Sequence, residues 1–446
     1  MNKNQIIEAK CTGYTHDGLG VCKVDGFPIF VKGAVREDLL NVRITKVKKN
    51  IAFGRIENII DSSPFRSEFP CESYKECGGC HIGHLNSDEQ AYLKEDKVFN
   101  AYKKLASKEI SVADCVSMDK PFRYRNKVAV PVKKIDGKIK AGFYKPRSHD
   151  LVEFTDCKVQ TKNSNEIIKE CISIFEDLNI TPYDEMTRKG IIRHIVIREG
   201  FKTNEVMVCL VINAKQLPNQ DKIIERLQSK FTLKTIVVNI NQEKTSVILG
   251  KRFETIFGQG YIVDYINDIS FKISANSFYQ INQKQTEKLY NKAIELADLQ
   301  GNEVVLDAYC GIGSIGLNFA KSVKKVVGVE IVEQAITDAK ENAKLNEVDN
   351  IEFYAGDISE VIKSIDCKFD VVVVDPPRKG CSFDFLKFIS QEIKPNKLIY
   401  ISCDVATQAR DVKYLELNGY ITKECFPFDM FPNTHHVETV VLIEKK

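Results

Sequence analysis

The sequence predicts a multidomain chain: a small OB-like β-barrel at the N-terminus, a central α+β domain, and a C-terminal α/β domain of the Rossmann-like kind. Three observations carry this. Residues 5–60 hold short β-branched runs broken by Asp17-Gly18, Asp25-Gly26 and Lys32-Gly33, the punctuation of a small barrel. Residues 110–270 mix strand and helix patterns without regular alternation. From residue 301, short apolar runs alternate with helix-length segments, the order of βα units on a parallel sheet. The expected domains are 1–60, 61–270 and 271–446.

With 446 residues, 43% of them hydrophobic, the chain has ample material for several cores. Its first residues, MNKNQIIEAK, are too polar for a signal peptide, and no run approaches the ~18 apolar residues of a membrane span. A cytoplasmic location, no membrane partner and a monomeric state are the expectations. Fourteen cysteines in such a chain point to metal ligation or catalysis rather than a disulfide framework, with most of them buried fillers. Net charge is +3, but residues 1–60 carry ten Lys/Arg against six Asp/Glu, and residues 122–159 ten against four. Those two stretches suit a polyanion such as RNA.

In the barrel, Ile29–Val31, Leu40–Val47 and Ile51–Ile56 read as strands, and small barrels with Lys-rich faces often hold nucleic acid. Ser62-Ser63-Pro64 reads as a linker. Cys71-x5-Cys77-Gly-Gly-Cys80 follows, with Cys157 a distant fourth thiol. Thiolates so spaced can converge on one metal centre, the glycines letting the backbone fold tightly around it. An iron-sulfur cluster is the leading reading; zinc with help from His81 and His84, and unligated cysteines, are the others. A helix is expected over 87–105, and strands over 127–132, 191–198, 206–212 and 235–240. Phe122-Arg-Tyr-Arg125-Asn-Lys127 interleaves rings with cations, which suits base stacking and phosphate neutralisation. An exposed strand edge is the plainer alternative. Phe278-Tyr-Gln280-Ile-Asn282 leads into an amphipathic helix over 283–297.

The C-terminal strands are expected at 303–309, 326–331, 351–354, 369–374 and 397–402, followed by 420–428 and 437–444 with no helix between the last two. Five βα units closed by a hairpin is the order of a class I methyltransferase sheet, whose last strand enters antiparallel. Gly311-Ile-Gly313-Ser-Ile-Gly316, between a strand and a helix, fits a dinucleotide as well as S-adenosylmethionine. Its neighbours favour S-adenosylmethionine. Asp307 stands where a carboxylate meets a ligand's cationic end, Glu330 can accept from both ribose hydroxyls, and Asp357 from an exocyclic adenine amine.

Asp375-Pro-Pro-Arg378 is similar to the (N/D)PP(Y/F) loop of amino-directed DNA methyltransferases, but Arg378 replaces the aromatic that packs on a flipped base. That disfavours amino chemistry. A carbon target needs a nucleophile: C5 of uracil becomes reactive once a thiolate adds at C6, and a base must later remove the C5 proton. Cys403 follows a strand and precedes a helix, where the dipole favours a thiolate. Glu438, near the start of the last strand, can reach the same rim.

The motifs Phe278-Tyr-Gln280-Ile-Asn282, Asp307-Ala-Tyr309-Cys-Gly-Ile-Gly313, Asp375-Pro-Pro-Arg-Lys-Gly380, Ser402-Cys403-Asp404 with Ala406-Thr407 and Ala409-Arg-Asp411, and Asp429-Met-Phe-Pro-Asn-Thr434-His-His-Val-Glu438 together resemble the RNA uracil-C5 methyltransferase family. The resemblance spans nearly the whole chain. It implies that Cys403 is the nucleophile, Glu438 the proton acceptor, and Gln280, Tyr309, Glu330 and Asp375 the lining of the methyl-donor site. It also reads Cys71, Cys77, Cys80 and Cys157 as ligands of a 4Fe-4S cluster and residues 1–60 as a TRAM domain, two additions that point to the 23S ribosomal RNA enzymes. tRNA is the alternative substrate, and a non-catalytic RNA-binding assembly factor the alternative role. The sequence departs from the family at Asp404-Val405, where relatives usually have Asn-Pro; the added charge is expected to raise the Cys403 pKa.

Overall fold

The computed structural model describes residues 1–446. The chain forms two compact units, one of Met1–Pro70, Gly79–Lys120 and Asp375–Lys446, the other of Cys71–Gly78 and Pro121–Val374.

The first unit begins with β1 (Ile6–Tyr14), β2 (Gly20–Val24), β3 (Phe27–Lys32), β4 (Leu39–Val47) and β5 (Ala52–Asp61), which close into a barrel in the order β1-β2-β3-β5-β4. Asp25 and Gly26 take φ of 50° and 78° between the paired Val24 and Phe27. That is the two-residue turn whose twist matches a right-handed hairpin. Alternate residues of β4 face inward, and Cys11, Cys22, Ile29, Val31, Leu40, Val42 and Ile44 fill the interior. Closure removes every free strand edge, so so few residues still make a stable core. Ser63 is not a free linker: it is buried, and its N–H donates to Asp38 at 2.9 Å.

Helix α1 (Ser87–Ala101) starts where the Asn86 side chain accepts from Glu89 N at 2.9 Å, a cap whose loss typically costs about 1 kcal/mol. It ends four residues short of the expected Leu105, where residues 102–106 form a wider turn. Its buried Glu89 accepts from Tyr14 and Arg36 of the barrel at 2.7 Å each. Buried Lys94 pairs with Asp429. β6 (Ser111–Val112) follows.

In the second unit, β7 (Lys127–Ile135), β8 (Lys138–Tyr144), β9 (Leu151–Glu153), β10 (Ile192–Glu199), β11 (Val206–Ile212), β12 (Thr235–Ile240) and β13 (Arg252–Gly258) form a seven-stranded sheet in the order β13-β12-β11-β10-β7-β8-β9. β11 reads VMVCLVI and is buried throughout, as a central strand covered on both faces should be. Helices α2 (Lys162–Asp177) and α3 (Gln220–Lys230) supply apolar faces to its core. A hairpin of β14 (Tyr261–Ile266) and β15 (Ile269–Ser274) precedes α4 (Gln283–Ala297).

Regular alternation then begins: β16 (Val304–Ala308), α5 (Ser314–Ala320), β17 (Lys325–Glu330), α6 (Glu333–Leu345), β18 (Ile351–Ala355), α7 (Ile358–Val361) and β19 (Val371–Val374). The four strands run parallel in the order β18-β17-β16-β19. Returning to the first unit, the chain adds α8 (Phe383–Phe388), β20 (Lys397–Ser402), α9 (Val405–Leu417), β21 (Tyr420–Phe428) and β22 (Glu438–Lys445). β22 lies antiparallel to both β20 and β21, the reversed last strand expected from the missing helix.

Candidate active site

Ser402 of β20 pairs with Thr439 of β22 in an antiparallel register. Cys403 follows Ser402 and Glu438 precedes Thr439, so both lie at this end of the ladder, and the Glu438 charge acts on the Cys403 thiol. Several bonds hold this corner. The Ser402 hydroxyl bridges Asp404 O and N at 3.0 and 3.1 Å. The Asp404 carboxylate caps α9 by accepting from Ala406 N and Thr407 N. Thr407 donates to Arg378 O at 3.1 Å, and buried Asp411 accepts from Cys381 N and Tyr400 OH at 2.9 and 2.7 Å. These anchor the Asp375-Pro-Pro-Arg378 loop to the helix behind Cys403.

Gln408 was not singled out by sequence reasoning. It is buried, donates to Tyr400 O at 3.0 Å and accepts from Thr439 at 2.8 Å, tying β20 to β22 next to the pair. A polar side chain three residues after the helix start was the only trace it left in the sequence.

Burial sets the ionisation of this corner. The Glu438 carboxyl is pushed up to about 8, first by burial and then by the charge of Asp375, with Arg378 opposing. Burial raises Asp375 to about 6. The Cys403 thiol is raised to about 11 by burial, then by Glu438 and Asp375, again opposed by Arg378. At the start of α9 the thiol is raised rather than lowered, with desolvation the largest influence. The carboxylates that raise it most are Glu438 and Asp375, from other segments, rather than the neighbouring Asp404.

Ahead of Glu438, the rings of His81, His435 and His436 cluster, with centroids 4.7 Å apart for His81 and His435 and 4.3 Å for His435 and His436. Burial, with Lys97 and other cations nearby, pushes His435 down to about 3 and His436 to about 4. His84 lies elsewhere, buried beside Arg66 and Asp38.

In the second unit, Tyr309, Glu330 and Asp357 stand at the carboxyl ends of the neighbouring parallel strands β16, β17 and β18, where open α/β sheets bind ligands. Tyr309 after β16 takes φ of 67°, so the backbone turns sharply into Gly311. A Cβ built on Gly311 meets nothing within 4 Å, whereas one on Gly313 (φ +81°) meets the Phe353 ring at 2.9 Å. The loop therefore leaves open space on one side and packs tightly on the other. Glu330 ends β17, its two carboxylate oxygens accepting from Gly311 N at 3.2 Å and Val332 N at 3.0 Å. Beside it Ile331 and Val332 are 65% and 53% exposed, apolar surface suited to a flat base. Asp357 is exposed and caps α7 through Ser359 N. Gln280 is held by Asn126, which donates to its carbonyl at 2.9 Å. Asp307 is 1% exposed, and one of its carboxylate oxygens accepts from Gly316 N at 2.7 Å, joining β16 to α5. The open loop, the fixed Glu330 and the apolar pair fit S-adenosylmethionine. Glu330→Ala is expected to weaken its binding by about 1.5–3 kcal/mol, roughly 10- to 150-fold, in a calorimetric titration.

All four candidate cluster cysteines are half-buried. Burial raises the Cys157 thiol, and the charges of Cys71 and Cys77 raise it further, so these three thiols lie near one another. The Phe122–Lys127 segment does not present a free RNA-binding edge. Arg123 donates to Cys157 O at 2.7 Å and Gln160 O at 3.0 Å and pairs with Asp156 at 2.6 Å, while Tyr124 is buried. It holds the Cys157 loop in place.

A parallel sheet with a glycine loop and a ribose-type carboxylate at its carboxyl ends, and a last strand antiparallel to its neighbours, defines an S-adenosylmethionine-dependent methyltransferase. Residues 89–446 match the family described as tRNA (Uracil-5-)-methyltransferase, and residues 2–56 match the TRAM domain. RNA methyltransferases of Halalkalibacterium halodurans and Staphylococcus aureus MW2 are 43% and 44% identical, each over 100% of this chain and 98% and 99% of their own length. The crystal structure of Pyrococcus abyssi tRNA (uracil-54, C5)-methyltransferase with S-adenosyl-L-homocysteine matches at a TM-score of 0.79 and 31% identity, covering 98% of this chain and 100% of that one. The chain belongs to the tRNA (uracil-5-)-methyltransferase family and carries a TRAM domain. It is an RNA methyltransferase of the uracil-C5 type. No helix is long and apolar enough to cross a membrane.

Proposed function

We propose that the protein makes 5-methyluridine in 23S ribosomal RNA, with Cys403 as nucleophile and Glu438 as proton acceptor. The observation that supports this reading is that Cys403 and Glu438 lie at the same end of the β20–β22 ladder, inside one electrostatic neighbourhood with Asp375 and Arg378. The Cys403 sulfur bonds to C6 of a flipped uridine, moving the ring's electron density onto C5. Bound S-adenosylmethionine, held by Gln280, Tyr309, Glu330, Asp357 and Asp375, supplies the methyl group that C5 accepts. The Glu438 carboxylate then takes the C5 proton, the C6–S bond breaks, and the double bond and thiolate are restored.

The pH dependence follows from the ionisation. Both groups act in their deprotonated forms, and both are raised, Glu438 to about 8 and Cys403 to about 11. Methylation is therefore expected to rise with pH between 6 and 9. Arg378 lowers both groups, so Arg378→Gln should move the rising limb to higher pH. A limb that stays in place in that variant contradicts the assigned coupling.

Cys71, Cys77, Cys80 and Cys157 are proposed as the ligands of a 4Fe-4S cluster, a reading supported by the nearness of Cys157 to Cys71 and Cys77. Brown protein with sulfur-to-iron charge-transfer absorbance after anaerobic purification is expected, and its loss in Cys157→Ser. Colourless protein containing zinc would contradict it.

A tRNA substrate is the second reading. At 98% coverage of this chain, the Pyrococcus abyssi match includes barrel residues, so the barrel alone does not separate ribosomal from transfer RNA as targets. Mass mapping of both RNAs from cells lacking the protein tests the choice: loss of a 5-methyluridine from 23S RNA supports the first reading, and loss from tRNA alone overturns it.

A further inference from the structure

We propose that His81, His435 and His436 form a binding site for one zinc ion, separate from the four cysteines and from the catalytic pair. One ligating nitrogen from each ring lies within 4.8 Å of the other two. Around zinc at 2.0–2.1 Å, three imidazole nitrogens in tetrahedral positions stand roughly 3.3 Å apart, so small side-chain rotations complete the tripod. All three residues are half-buried, which leaves the fourth position open to water.

A second observation points to a ligand. The Nδ1 atom of His435 is buried without a hydrogen-bond partner, which leaves a desolvated polar atom uncompensated. A metal bond to this ring, or an ordered water beneath the ion, compensates it.

The backbone holds the three rings together before any ion arrives. His81 N and Ile82 N both donate to Asn433 O, at 2.9 and 3.1 Å. Asn433 N donates to buried Gln90 at 2.9 Å, and Gln90 donates back to Leu85 O at 3.0 Å. Lys97 donates to His435 O at 3.0 Å. Two segments far apart in sequence, 79–90 and 431–438, are thereby locked side by side within the first unit.

Donor chemistry chooses the ion. Three imidazole donors with no carboxylate among them suit zinc and its nitrogen-preferring neighbours, and leave calcium and magnesium without the oxygens they require. The nearest cation, Lys97, is itself pushed towards neutrality by burial, and Asp17 places a negative charge close to His435. Because His436 is two residues before Glu438, the ion clamps the loop that leads into the proton acceptor. The site does not depend on the choice of RNA or on the cluster.

The test uses the full-length protein, purified anaerobically with its cysteine centre intact and titrated with cobalt(II), then with zinc. Expected is one equivalent of cobalt with weak visible ligand-field bands and no added thiolate-to-cobalt charge transfer, displaced by one equivalent of zinc. His435→Ala and His436→Ala should each weaken binding by more than about 100-fold. His436→Asp, which keeps a ligand, should retain weakened binding. No bound cobalt in the parent, undiminished binding in the alanine variants, or thiolate-to-cobalt charge transfer on titration of the parent each overturns the proposal. Circular dichroism of the variants separates a lost ligand from a lost fold.

Discussion

Cys403→Ala is expected to abolish methyl transfer while S-adenosylmethionine still binds with parental affinity. The thiol is half-buried in a corner held by Ser402, Asp404 and Gln408, and removing one sulfur atom there leaves those bonds in place. The missing atom is the one that makes C5 nucleophilic, and no neighbouring group replaces it: Ser402 is bonded to Asp404, and Glu438 is a far weaker nucleophile towards carbon. The loss should be on the order of 10⁴-fold or more. Single-turnover assays with radiolabelled methyl donor measure it, and calorimetry checks donor binding. Residual turnover within tenfold of the parent refutes the nucleophile assignment.

Glu438→Gln is expected to do the opposite of emptying the site. With no carboxylate to take the C5 proton, the methylated adduct has no route to eliminate Cys403, and a covalent protein–RNA species should accumulate on a denaturing gel. The same change should stabilise the fold. The carboxyl is 7% exposed and raised to about 8 from an ordinary 4.5, so ionising it in the folded state is unfavourable. Stability is accordingly lost as pH rises from about 4.5 to about 8, and an uncharged glutamine avoids that loss, by on the order of 4 kcal/mol at its fullest. Thermal unfolding should show a higher Tm for the variant at pH 8 and little difference at pH 4.5. A variant no more stable at pH 8 would mean that Glu438 is not held in a low-dielectric site. The corner therefore trades stability for chemistry, as strained and desolvated sites commonly do.

Much of this was legible along the chain. The Asp25-Gly26 turn, the all-buried run of β11, the glycine loop after β16 and the absence of a helix between the last two strands each follow from local periodicity or turn chemistry. That Cys403 and Glu438 fall at one end of adjacent strands was also foreseeable, since the hairpin order makes β20 and β22 neighbours. Arg123 misled the reading. Alternating rings and cations look the same whether they face RNA or, as here, a carbonyl at Cys157 and a carboxylate at Asp156. Ser63 misled it likewise, because the sequence does not report which polar atom finds an internal partner.

By itself the sequence determined which elements form, in what order, and which chemical groups are present to act on a uracil. These depend on spacing along the chain and on the intrinsic behaviour of each side chain. Only the tertiary structure decided which groups are charged and which histidines meet. Cys403 and Glu438 are both raised because burial outweighs the opposing charge of Arg378. His81 meets His435 and His436 across some 350 residues because Asn433 and Gln90 bond two distant segments. Desolvation and long-range proximity arise when surfaces close over one another, and no local pattern records them.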